Sequence, residues 1–231
     1  MLAQHTWLEH ISLLQSHIYE FSSLPSTQLY ALEMIKSNTL MPPFCIWARH
    51  QSDAIGSRGN RWEEVPNAMT FSFALTLASL PKDLKIQSAS IFFGVIMCEF
   101  LRSLGSQTWL KYPNDLYIGE GKIGGILTQK IHNTLICGIG INLHSPQHSK
   151  YPTLEEPISH KIEARAFLED FFESFNNFVS WKQIFSIYKL EFNKNNTFFF
   201  HLDGKQIALE NTTLNEDGSL NINGHKIYSL R

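Results

Sequence analysis

The sequence predicts an α+β fold, in which a β-sheet with flanking helices is followed by a small C-terminal β-barrel. Residues 67–80 alternate between apolar and polar side chains, which is typical of a central strand. Residues 84–104 instead place apolar side chains at helical spacing, which predicts a buried helix against that sheet. In the C-terminal tail, four short strand-like segments are separated by dipeptides typical of hairpin turns: Asp203-Gly204, Asp217-Gly218 and Asn223-Gly224.

Length and composition limit the number of domains and the class of protein. A chain of 231 residues can bury one sizeable core and carry a small appendage. We therefore predict a main domain over residues 1–192 and a small β-domain over residues 197–231. The 43% hydrophobic and 17% charged content is that of a globular protein and excludes wholesale disorder. A net charge of −2 and a pI of about 6.5 argue against general binding of polyanions.

Cysteine usage and the N-terminal sequence predict the cellular compartment. The three cysteines are scattered without C-x-x-C spacing, which favours a reducing cytoplasm over a disulfide framework. The N-terminal sequence MLAQHTWLEH lacks the basic and apolar regions of a signal peptide. No apolar run reaches the ~18 residues of a membrane span. We therefore expect a soluble cytoplasmic protein that does not enter a membrane.

The N-terminal part predicts two strands separated by a helix. Alternation predicts a short strand over residues 17–21, and the apolar residues 44–48 predict a buried strand. Between them, apolar spacing predicts a helix over residues 29–35, with Ser26 or Thr27 as its N-cap. Serine and threonine are favoured at this position for purely structural reasons, so the cap alone does not indicate a binding site.

Residues 109–142 combine charged side chains with strands that contain glycine. Pro113 and Asn114-Asp115 predict a turn at the end of a strand, and Lys122 begins a long second strand. Pairs of glycines lie in this strand and in the one that follows. Glycine weakens a strand, so such glycines usually mark a bulge or a ligand against the backbone. Two lysines, one carboxylate and bare backbone therefore predict a site for an anionic substrate and a nucleotide phosphate.

Two further helices are predicted at residues 161–179 and 181–192, where a stripe of phenylalanines indicates core packing. The connection before them contains His144, His148 and His160. These histidines lack helical pairing or a cysteine partner, so we predict no metal site.

Three sequence elements resemble motifs of biotin–protein ligases. Lys111–Asp115 (KYPND), Lys122–Leu127 (KIGGIL) and Gly138–Asn142 (GIGIN) are similar to the family's K-W-P-N-D, K-x-x-G-I-L and G-I-G-I-N, in matching order and spacing. The resemblance implies a class II aminoacyl-tRNA-synthetase-like mixed sheet with flanking helices, and an SH3-like β-barrel at the C-terminus. Residues 1–17 are too few for the helix-turn-helix domain of ligases that double as repressors. We therefore expect the ligase-only form and no DNA binding.

The resemblance also implies which residues form the site. Catalytic roles fall on three residues: Lys111, Asp115 and Lys122. The residues implied to bind biotin are Ser26, Thr27, Gln28, Gln51, Ile55, Gly56, Ser57, Lys122, Gly124 and Gly125. The residues implied to bind ATP or the adenylate are Arg58, Arg61, Trp62, Lys111, Asn114 and Asn142.

The stretch between Gln51 and Trp62 departs from the family pattern. It is polar, contains two glycines and has no periodicity, which predicts a loop long enough to act as a lid. The family's lid, G-R-G-R-x-G-R-x-W after a glutamine, matches in spacing, but uncharged residues replace its arginines: Ile55, Ser57 and Asn60. Two arginines, Arg58 and Arg61, remain to bind carboxylate or phosphate. Either these two compensate, or the lid holds its intermediate more loosely.

The implied reaction is ATP-dependent attachment of biotin to a lysine of a biotin carboxyl carrier domain, through biotinyl-5'-AMP. Lys122 would bind the carboxylate of biotin, Lys111 would offset charge on the α-phosphoryl group, and Asp115 would orient the acceptor amine or accept its proton. Mg²⁺ is expected on the triphosphate, held mainly by phosphates and water. The expected partner is the carrier domain of acetyl-CoA carboxylase or a related carboxylase, with the chain itself a monomer or homodimer.

Two other functions fit parts of the sequence. A lipoate or octanoate ligase or transferase shares the implied fold and uses an analogous lysine, although KYPND together with GIGIN favours biotin. A non-catalytic biotin-binding module is consistent with the missing lid arginines, although the retained Lys111, Asp115 and Lys122 argue against it.

Overall fold

The computed structural model describes residues 2–57, 60–62, 65, 67–144, 152–160, 162–202, 205–222 and 224–228. The strands of the main sheet are β1 (Ile18–Phe21), β2 (Phe44–Ala48), β3 (Ala68–Thr76), β4 (Trp109–Lys111), β5 (Asp115–Ile118), β6 (Gly121–Ile131) and β7 (Thr134–Asn142). The helices are α1 (Leu2–Ser16), α2 (Thr27–Lys36), α3 (Ala89–Ser103), α4 (Glu156–Ser159), α5 (Ala164–Ser174) and α6 (Trp181–Glu191). The strands near the C-terminus are β8 (Phe199–Leu202), β9 (Lys205–Ala208), β10 (Thr213–Leu214), β11 (Leu220–Ile222) and β12 (His225–Ile227).

The main sheet has seven strands in the order β1-β2-β3-β7-β6-β5-β4. β1 pairs with β2 in parallel, and the other neighbouring strands pair antiparallel, so the sheet is mixed as predicted. β7 lies between β3 and β6, and its register places Gly125 of β6 opposite Gly140 of β7. This pairing brings the two glycine-containing strands side by side.

One face of the sheet carries the main core, which is rich in phenylalanine. Phe73 of β3 packs edge-to-face on Phe93 of α3 and on Phe172 of α5, with ring centroids 5.1 and 5.5 Å apart. Phe171 and Phe175 belong to the same cluster, at a centroid distance of 5.0 Å. Such edge-to-face geometry is preferred by aromatic pairs. The phenylalanine stripe is therefore core, as predicted.

The other face is covered only in part by α2. Ala31, Leu32 and Ile35 of this helix pack on apolar residues of β2, β3 and β7 that include Ala74 and Ile136. Further along the same face, β3 and β7 carry small residues because side chains alternate along a strand: Thr70, Ser72, Gly138 and Gly140. Small side chains beyond the end of a covering helix leave a concave surface, and the candidate site lies there.

Several element bounds differ from the sequence prediction. Residues 2–16 form a helix that was not predicted, and the strand predicted over residues 67–80 ends at Thr76. The helix predicted over residues 161–179 ends at Ser174, because Phe175–Asn177 form a 3₁₀ turn before Ser180 caps α6 by accepting a hydrogen bond from the backbone N–H of Gln183 at 3.2 Å.

The predicted helix over residues 84–104 is a 3₁₀ turn at Ile86–Ser88 followed by α3. Contrary to the expectation from the sequence, one stretch within the described residues, Ile86–Ser103, has the length and apolar composition of a membrane span, and 72% of it is buried inside the protein. A buried helix of this kind is common in globular cores, so it is weak evidence for membrane insertion.

The C-terminal strands form two small sheets, β8–β9 and β10–β11–β12. In the described part of this region five strands occur where the sequence predicted four, and a 3₁₀ turn at Leu209–Asn211 separates β9 from β10. Gly218 adopts a φ of +79° in the predicted turn between β10 and β11. The predicted turns at Asp203-Gly204 and Asn223 lie outside the described residues, and closure into an SH3-like barrel remains a prediction.

Asp217 joins this C-terminal part to the main domain, in a cluster that we call the junction: Asp217, Lys85, Ser219, Lys226 and Tyr228. One carboxylate oxygen accepts hydrogen bonds from Lys85 Nζ (3.0 Å), Lys226 Nζ (2.7 Å) and Tyr228 Oη (2.7 Å). The other accepts from Ser219 Oγ at 2.6 Å and from its backbone N–H at 3.2 Å. Burial acts to raise the pKa of Asp217, but the hydrogen bonds from Lys226, Ser219, Tyr228 and Lys85 outweigh it and hold the pKa well below its usual range.

Candidate active site

A cleft lies on the α2 side of the sheet, between the start of α2, the lid segment 51–62 and strands β3, β5, β6 and β7. The cleft opens to solvent, and the empty space within it, counted together with its solvent-open part, is about 670 Å³. Most residues predicted for the site line it: Ser26, Thr27, Gln28, Gln51, Ile55, Gly56, Ser57, Arg61, Trp62, Asn114, Asp115, Lys122 and Gly125.

The floor of the cleft is built around the start of α2. Ser26 caps the helix, as predicted, by accepting a hydrogen bond from the backbone N–H of Leu29 at 3.4 Å. The backbone N–H of Thr27 donates to Gln51 Oε1 at 2.6 Å, and Thr27 Oγ1 lies 3.0 Å from Ser72 Oγ. These contacts join three chain segments that are distant in sequence.

Gln28 is the unusual residue of this floor. Its side chain is 3% exposed, and neither amide atom has a hydrogen-bond partner among the described residues. Buried polar groups are nearly always paired, and an unpaired one costs about 1–3 kcal/mol. Gly138 stands opposite, where a Cβ atom would lie 2.7 Å from Gln28 Oε1. The floor therefore presents an unused donor and an unused acceptor to the cleft.

Asp115 connects the two predicted catalytic lysines. Its Oδ1 lies 2.6 Å from Lys122 Nζ, and its Oδ2 lies 3.5 Å from Lys111 Nζ. Lys122 faces the open cleft with 43% of its side chain exposed, whereas Lys111 is 12% exposed and sits behind the cleft wall. The arrangement places one partly exposed cation at the cleft and one partly buried cation next to it.

The register of β4, β5 and β6 sets this geometry. Asp115 pairs with Lys111 across the β4–β5 hairpin and with Gly125 across to β6. Asn114 stabilises the turn between β4 and β5, because its Nδ2 donates a hydrogen bond to Ile126 O at 2.8 Å. A Cβ atom at Gly125 would lie 3.7 Å from Asp115 Oδ1 and 3.8 Å from Lys122 Cε. Glycine therefore leaves the space beside this ion pair open.

Tyr117 stands behind Lys111, whose Nζ lies 5.6 Å from the centre of the tyrosine ring. Burial and the nearby carboxylate of Asp115 raise the pKa of Tyr117 to about 12. The phenol therefore stays neutral at physiological pH and presents an aromatic face to the lysine, not a second negative charge.

Backbone hydrogen bonds join the two described parts of the lid, residues 51–57 and 60–62. The backbone N–H of Gly56 donates to Asn60 O at 2.7 Å, and that of Trp62 donates to Ala54 O at 2.8 Å. Arg61 donates to Ser52 O at 2.6 Å and lies 3.8 Å from Asp53, with 67% of its side chain exposed. Its guanidinium is therefore directed along the lid surface. Arg58, the other predicted cation, lies outside the described residues.

Trp62 closes the cleft from the lid side. Its ring packs over Gly140, where a Cβ atom would lie 3.0 Å from the indole, and Lys122 Nζ lies 5.9 Å from the ring centre. The indole N–H is buried without a hydrogen-bond partner among the described residues. Like Gln28, Trp62 therefore keeps a donor available.

Two residues that the resemblance implies for ligand binding, Gly124 and Asn142, do not line the cleft among the described residues. A Cβ atom at Gly124 would lie 2.5 Å from Gly140 O, so this glycine is required by the sheet itself. Successive residues of a strand face opposite sides, which places Gly125 and not Gly124 on the cleft. Asn142 is buried, and its Nδ2 donates to Pro152 O at 3.0 Å. Its Oδ1 is buried without a hydrogen-bond partner among the described residues. Asn142 is not among the residues that line the cleft, and its role in adenylate binding stays a prediction.

The structure adds cleft residues that the sequence prediction did not assign: Ala54, Thr70, Ser72, Gly138 and Gly140. The signal for two of them was present, since Thr70 and Ser72 are small polar residues on the opposite face of the strand from Phe71. Their position relative to α2 depends on sheet pairing and could not be inferred from that alternation alone.

Metal-binding chemistry is limited in the described residues, which contain no group of three or more His, Cys, Asp or Glu side chains suited to a metal ion. Among the described residues that line the cleft, Asp115 is the carboxylate, and both of its oxygens already face lysines.

Residues 20–145 match the model of the biotin/lipoate A/B protein ligase family. Over 127 residues the chain is 32% identical to the bifunctional ligase/repressor BirA of Escherichia coli K12, a match that covers 52% of this chain and 38% of that protein. The match to the Salmonella typhimurium BirA is 29% identical and covers 43% of that protein, so the chain spans about two fifths of the length of these curated relatives.

Two solved structures are similar over nearly the whole chain. A biotin acetyl coenzyme A carboxylase synthetase from Helicobacter pylori with bound biotinylated ATP is 42% identical, with a TM-score of 0.84, and the match covers 92% of this chain and 99% of that one. A biotin protein ligase from Aquifex aeolicus in complex with biotin and ATP is 21% identical, with a TM-score of 0.72 and coverage of 93% and 96%. The second likeness supports the fold alone.

Proposed function

Because the chain belongs to the biotin/lipoate A/B protein ligase family, as its motifs indicated, we propose that it attaches biotin to a lysine of a biotin carboxyl carrier domain. The reaction uses ATP and passes through biotinyl-5'-AMP. The observation that carries the proposal is the cleft itself, which has an unpaired amide, Gln28, at its floor and a cation, Lys122, at its open side. Biotin has matching groups, with a ureido ring at one end and a carboxylate at the other.

In the first step, the carboxylate of biotin attacks the α-phosphorus of ATP, and pyrophosphate leaves. An anion approaches a polyanion, so the repulsion between them must be offset. Lys122 binds the attacking carboxylate by exchanging its ion pair with Asp115 for one with the substrate. Lys111 offsets the charge that develops on the α-phosphoryl group, from its partly buried place beside Asp115. A fixed cation of this kind is worth about 3–4 kcal/mol in a site that excludes water.

In the second step, the amine of the acceptor lysine attacks the carbonyl carbon of the adenylate, and AMP leaves. The amine must be neutral, although lysine at pH 7 is almost wholly protonated. Asp115 is the carboxylate that lines the described part of the cleft, so it orients the incoming amine or accepts its proton. The lid and Trp62 exclude water, which would otherwise hydrolyse the mixed anhydride.

Mg²⁺ accompanies the ATP. The described residues offer no protein cage for it, and Asp115 is engaged by two lysines. Mg²⁺ commonly retains several waters and binds through substrate phosphates, which suits a cleft of this composition. When bound, the ion would neutralise the triphosphate, while the protein residues place the reacting groups.

The polar floor favours biotin over lipoate. The dithiolane ring of lipoate has no strong hydrogen-bonding group, so it would leave the amide of Gln28 unpaired. A ureido ring supplies both donors and an acceptor. Sites built to hydrogen-bond a substrate group reject analogues that lack the group, because the buried partner is then left unsatisfied.

The test is the intact mass of an apo biotin-carrier domain incubated with this protein, ATP and Mg²⁺, with biotin or lipoate supplied separately. We expect a gain of one biotinyl group in the biotin reaction, and its loss in the Lys122→Ala variant. A gain with lipoate alone would assign the protein to the lipoate branch of the family. Binding of biotin without any gain in mass would support a non-catalytic module.

A further inference from the structure

The segment 192–198, which we call the connector, leads from α6 to the first C-terminal strand and packs against the catalytic hairpin. Its polar composition suggests a solvated linker, yet Asn195 is fully buried. Asn195 Oδ1 accepts a hydrogen bond from the backbone N–H of Tyr112 at 2.7 Å, and its Nδ2 donates to Phe192 O at 3.0 Å. Tyr112 directly follows Lys111, so the connector fixes the backbone next to this lysine.

The connector also reaches the side chain of Lys111. Its Nζ lies 5.8 Å from the ring centre of Phe198 and 5.6 Å from that of Tyr117. The two rings are 5.3 Å apart and nearly perpendicular, at 78°, so they form a corner around the ammonium group. Asp115 Oδ2, at 3.5 Å, lies on a further side. Trp109 supports the corner, with ring centres 5.5 Å from both Tyr117 and Phe198.

This corner has a physical use. A cation is attracted to the face of an aromatic ring within about 6 Å, and more strongly where water is excluded. Lysine has a long flexible stem, so an ammonium group holds one place only if its surroundings fix it. The step assigned to Lys111 requires the charge to be in position before the reaction begins, because reorganisation during the reaction weakens electrostatic catalysis.

We propose that Phe198 is a positioning residue for Lys111, so that the C-terminal connector completes the active site of the main domain. The proposal rests on the proposed function, in which Lys111 offsets charge on the α-phosphoryl group. Phe198 does not line the cleft among the described residues, so its effect reaches the reaction through Lys111. Its loss therefore slows adenylate formation and leaves biotin binding unchanged.

The kinetic test compares Phe198→Leu with Phe199→Leu. Phe199 is the neighbouring residue and is 52% exposed, so it receives the same change away from the corner. We expect Phe198→Leu to lower kcat for pyrophosphate release about five- to tenfold with KM for biotin unchanged, as for the loss of one partly desolvated cation–π contact. Phe199→Leu should match the wild type, and Phe198→Tyr, which keeps a ring face, should retain most of the rate. Wild-type kcat in Phe198→Leu would overturn the proposal.

A second variant series separates positioning from general structural damage. In a Lys111→Ala background, adding Phe198→Leu should cause no further loss of rate, because the group through which Phe198 acts is already absent. If Phe198→Leu lowered the rate by the same factor in the wild type and in Lys111→Ala, Phe198 would act on something other than Lys111. That result would overturn the proposal.

A third measurement requires no turnover. Reductive ¹³C-methylation labels the lysines, and the Lys111 signal is assigned by its absence in Lys111→Arg. The two rings should shift this signal upfield in the wild type and in Phe199→Leu, and the shift should shrink in Phe198→Leu. An unchanged signal would contradict the placement of Lys111 by Phe198. If the wild type failed to adenylate biotin, the proposed function would fail while this measurement still decided the positioning.

Discussion

Asp115 in the cleft and Asp217 at the junction are both carboxylates shared by two lysines, but their surroundings differ. Asp217 accepts hydrogen bonds from Lys85, Lys226, Tyr228 and Ser219 through both of its oxygens. Asp115 contacts Lys111 and Lys122, and the glycine beside it leaves space on the cleft side.

The junction is therefore an ion cluster that stabilises the structure, whereas the cleft contains an ion cluster that can exchange partners. The junction fills the hydrogen-bonding capacity of its carboxylate, and it joins a C-terminal turn to Lys85, which is distant in sequence. The cleft retains unused capacity, seen in the unpaired amide of Gln28 and in the exposed ammonium of Lys122. Unpaired buried polar groups reduce stability, and the amide of Gln28 lines the cleft, where a ligand can pair it.

The largest expected difference is between Lys122→Ala and Lys226→Ala. Each change removes one lysine from a shared carboxylate. Lys122→Ala should lower adenylate formation by about 10²- to 10³-fold, the effect of losing a group that stabilises transition-state charge. Lys226→Ala should leave the rate unchanged. Pyrophosphate release with biotin and ATP measures both, and similar rates for the two variants would remove the distinction between cleft and junction.

The two carboxylates should differ in the step that they affect. Asp115→Asn should slow transfer to the carrier lysine by about 10²-fold, because it removes a proton acceptor. Adenylate formation should fall less. Single-turnover assays that supply preformed biotinyl-5'-AMP measure transfer alone, with Asp217→Asn as the matched control. Equal losses in both steps would show that Asp115 acts only by placing the two lysines.

Gln28→Leu tests whether the unused capacity of the cleft serves biotin. We expect biotin affinity to weaken about tenfold to a hundredfold, the value of one or two hydrogen bonds to a buried amide. The thermal stability of the ligand-free protein should not fall, because no hydrogen bond among the described residues is lost. Calorimetric titration and a melting curve measure the two quantities. Lower stability with unchanged affinity would mean that Gln28 is a structural residue.

Asp217→Asn should affect stability and leave catalysis unchanged. We expect a loss of about 1–2 kcal/mol in the free energy of unfolding at pH 7, since the hydrogen bonds are charge-assisted but their lysine partners are half exposed. The folded pKa of Asp217 lies below its ordinary value of 3.8, so its stabilising effect is full above that pH and is lost as the pH falls further.

The wild-type and Asp217→Asn proteins should therefore differ at pH 7 and converge in stability as the pH is lowered below 3.8. Urea unfolding across this range measures the difference. If the difference in the free energy of unfolding between the two proteins stayed constant down to the lowest pH, the carboxylate charge would not stabilise the junction.

Most of the fold followed from patterns between neighbouring residues. The alternation of β3, the N-cap of α2 and the hairpins around the KYPND motif each depend on a few adjacent side chains, and the structure confirms them. The helix at residues 2–16 was not predicted, although Trp7, Ile11 and Leu14 are buried at helical spacing. Its burial comes from packing against α5 and β2, which are distant in sequence.

The sequence predicted which residues form the site better than it predicted how those residues are arranged. Motif residues such as Lys122, Asp115 and Gln51 meet in one cleft because their motifs mark the ends of strands that the sheet brings together. Gly124 and Asn142 were also assigned ligand contacts, but neither lines the cleft among the described residues: Gly124 lies against Gly140 O, and Asn142 donates a hydrogen bond to Pro152 O. Gly124 and Gly125 are adjacent in sequence, yet they lie on opposite faces of the sheet.

The sequence by itself determined the fold class, the chemical groups of the site and the family resemblance, because these depend on local patterns and on short motifs. The tertiary structure decided which partners those groups meet. The unpaired state of Gln28, the corner of rings around Lys111 and the saturation of Asp217 all join segments far apart in the chain. Such contacts depend on register and packing among many elements, and no local sequence pattern specifies them.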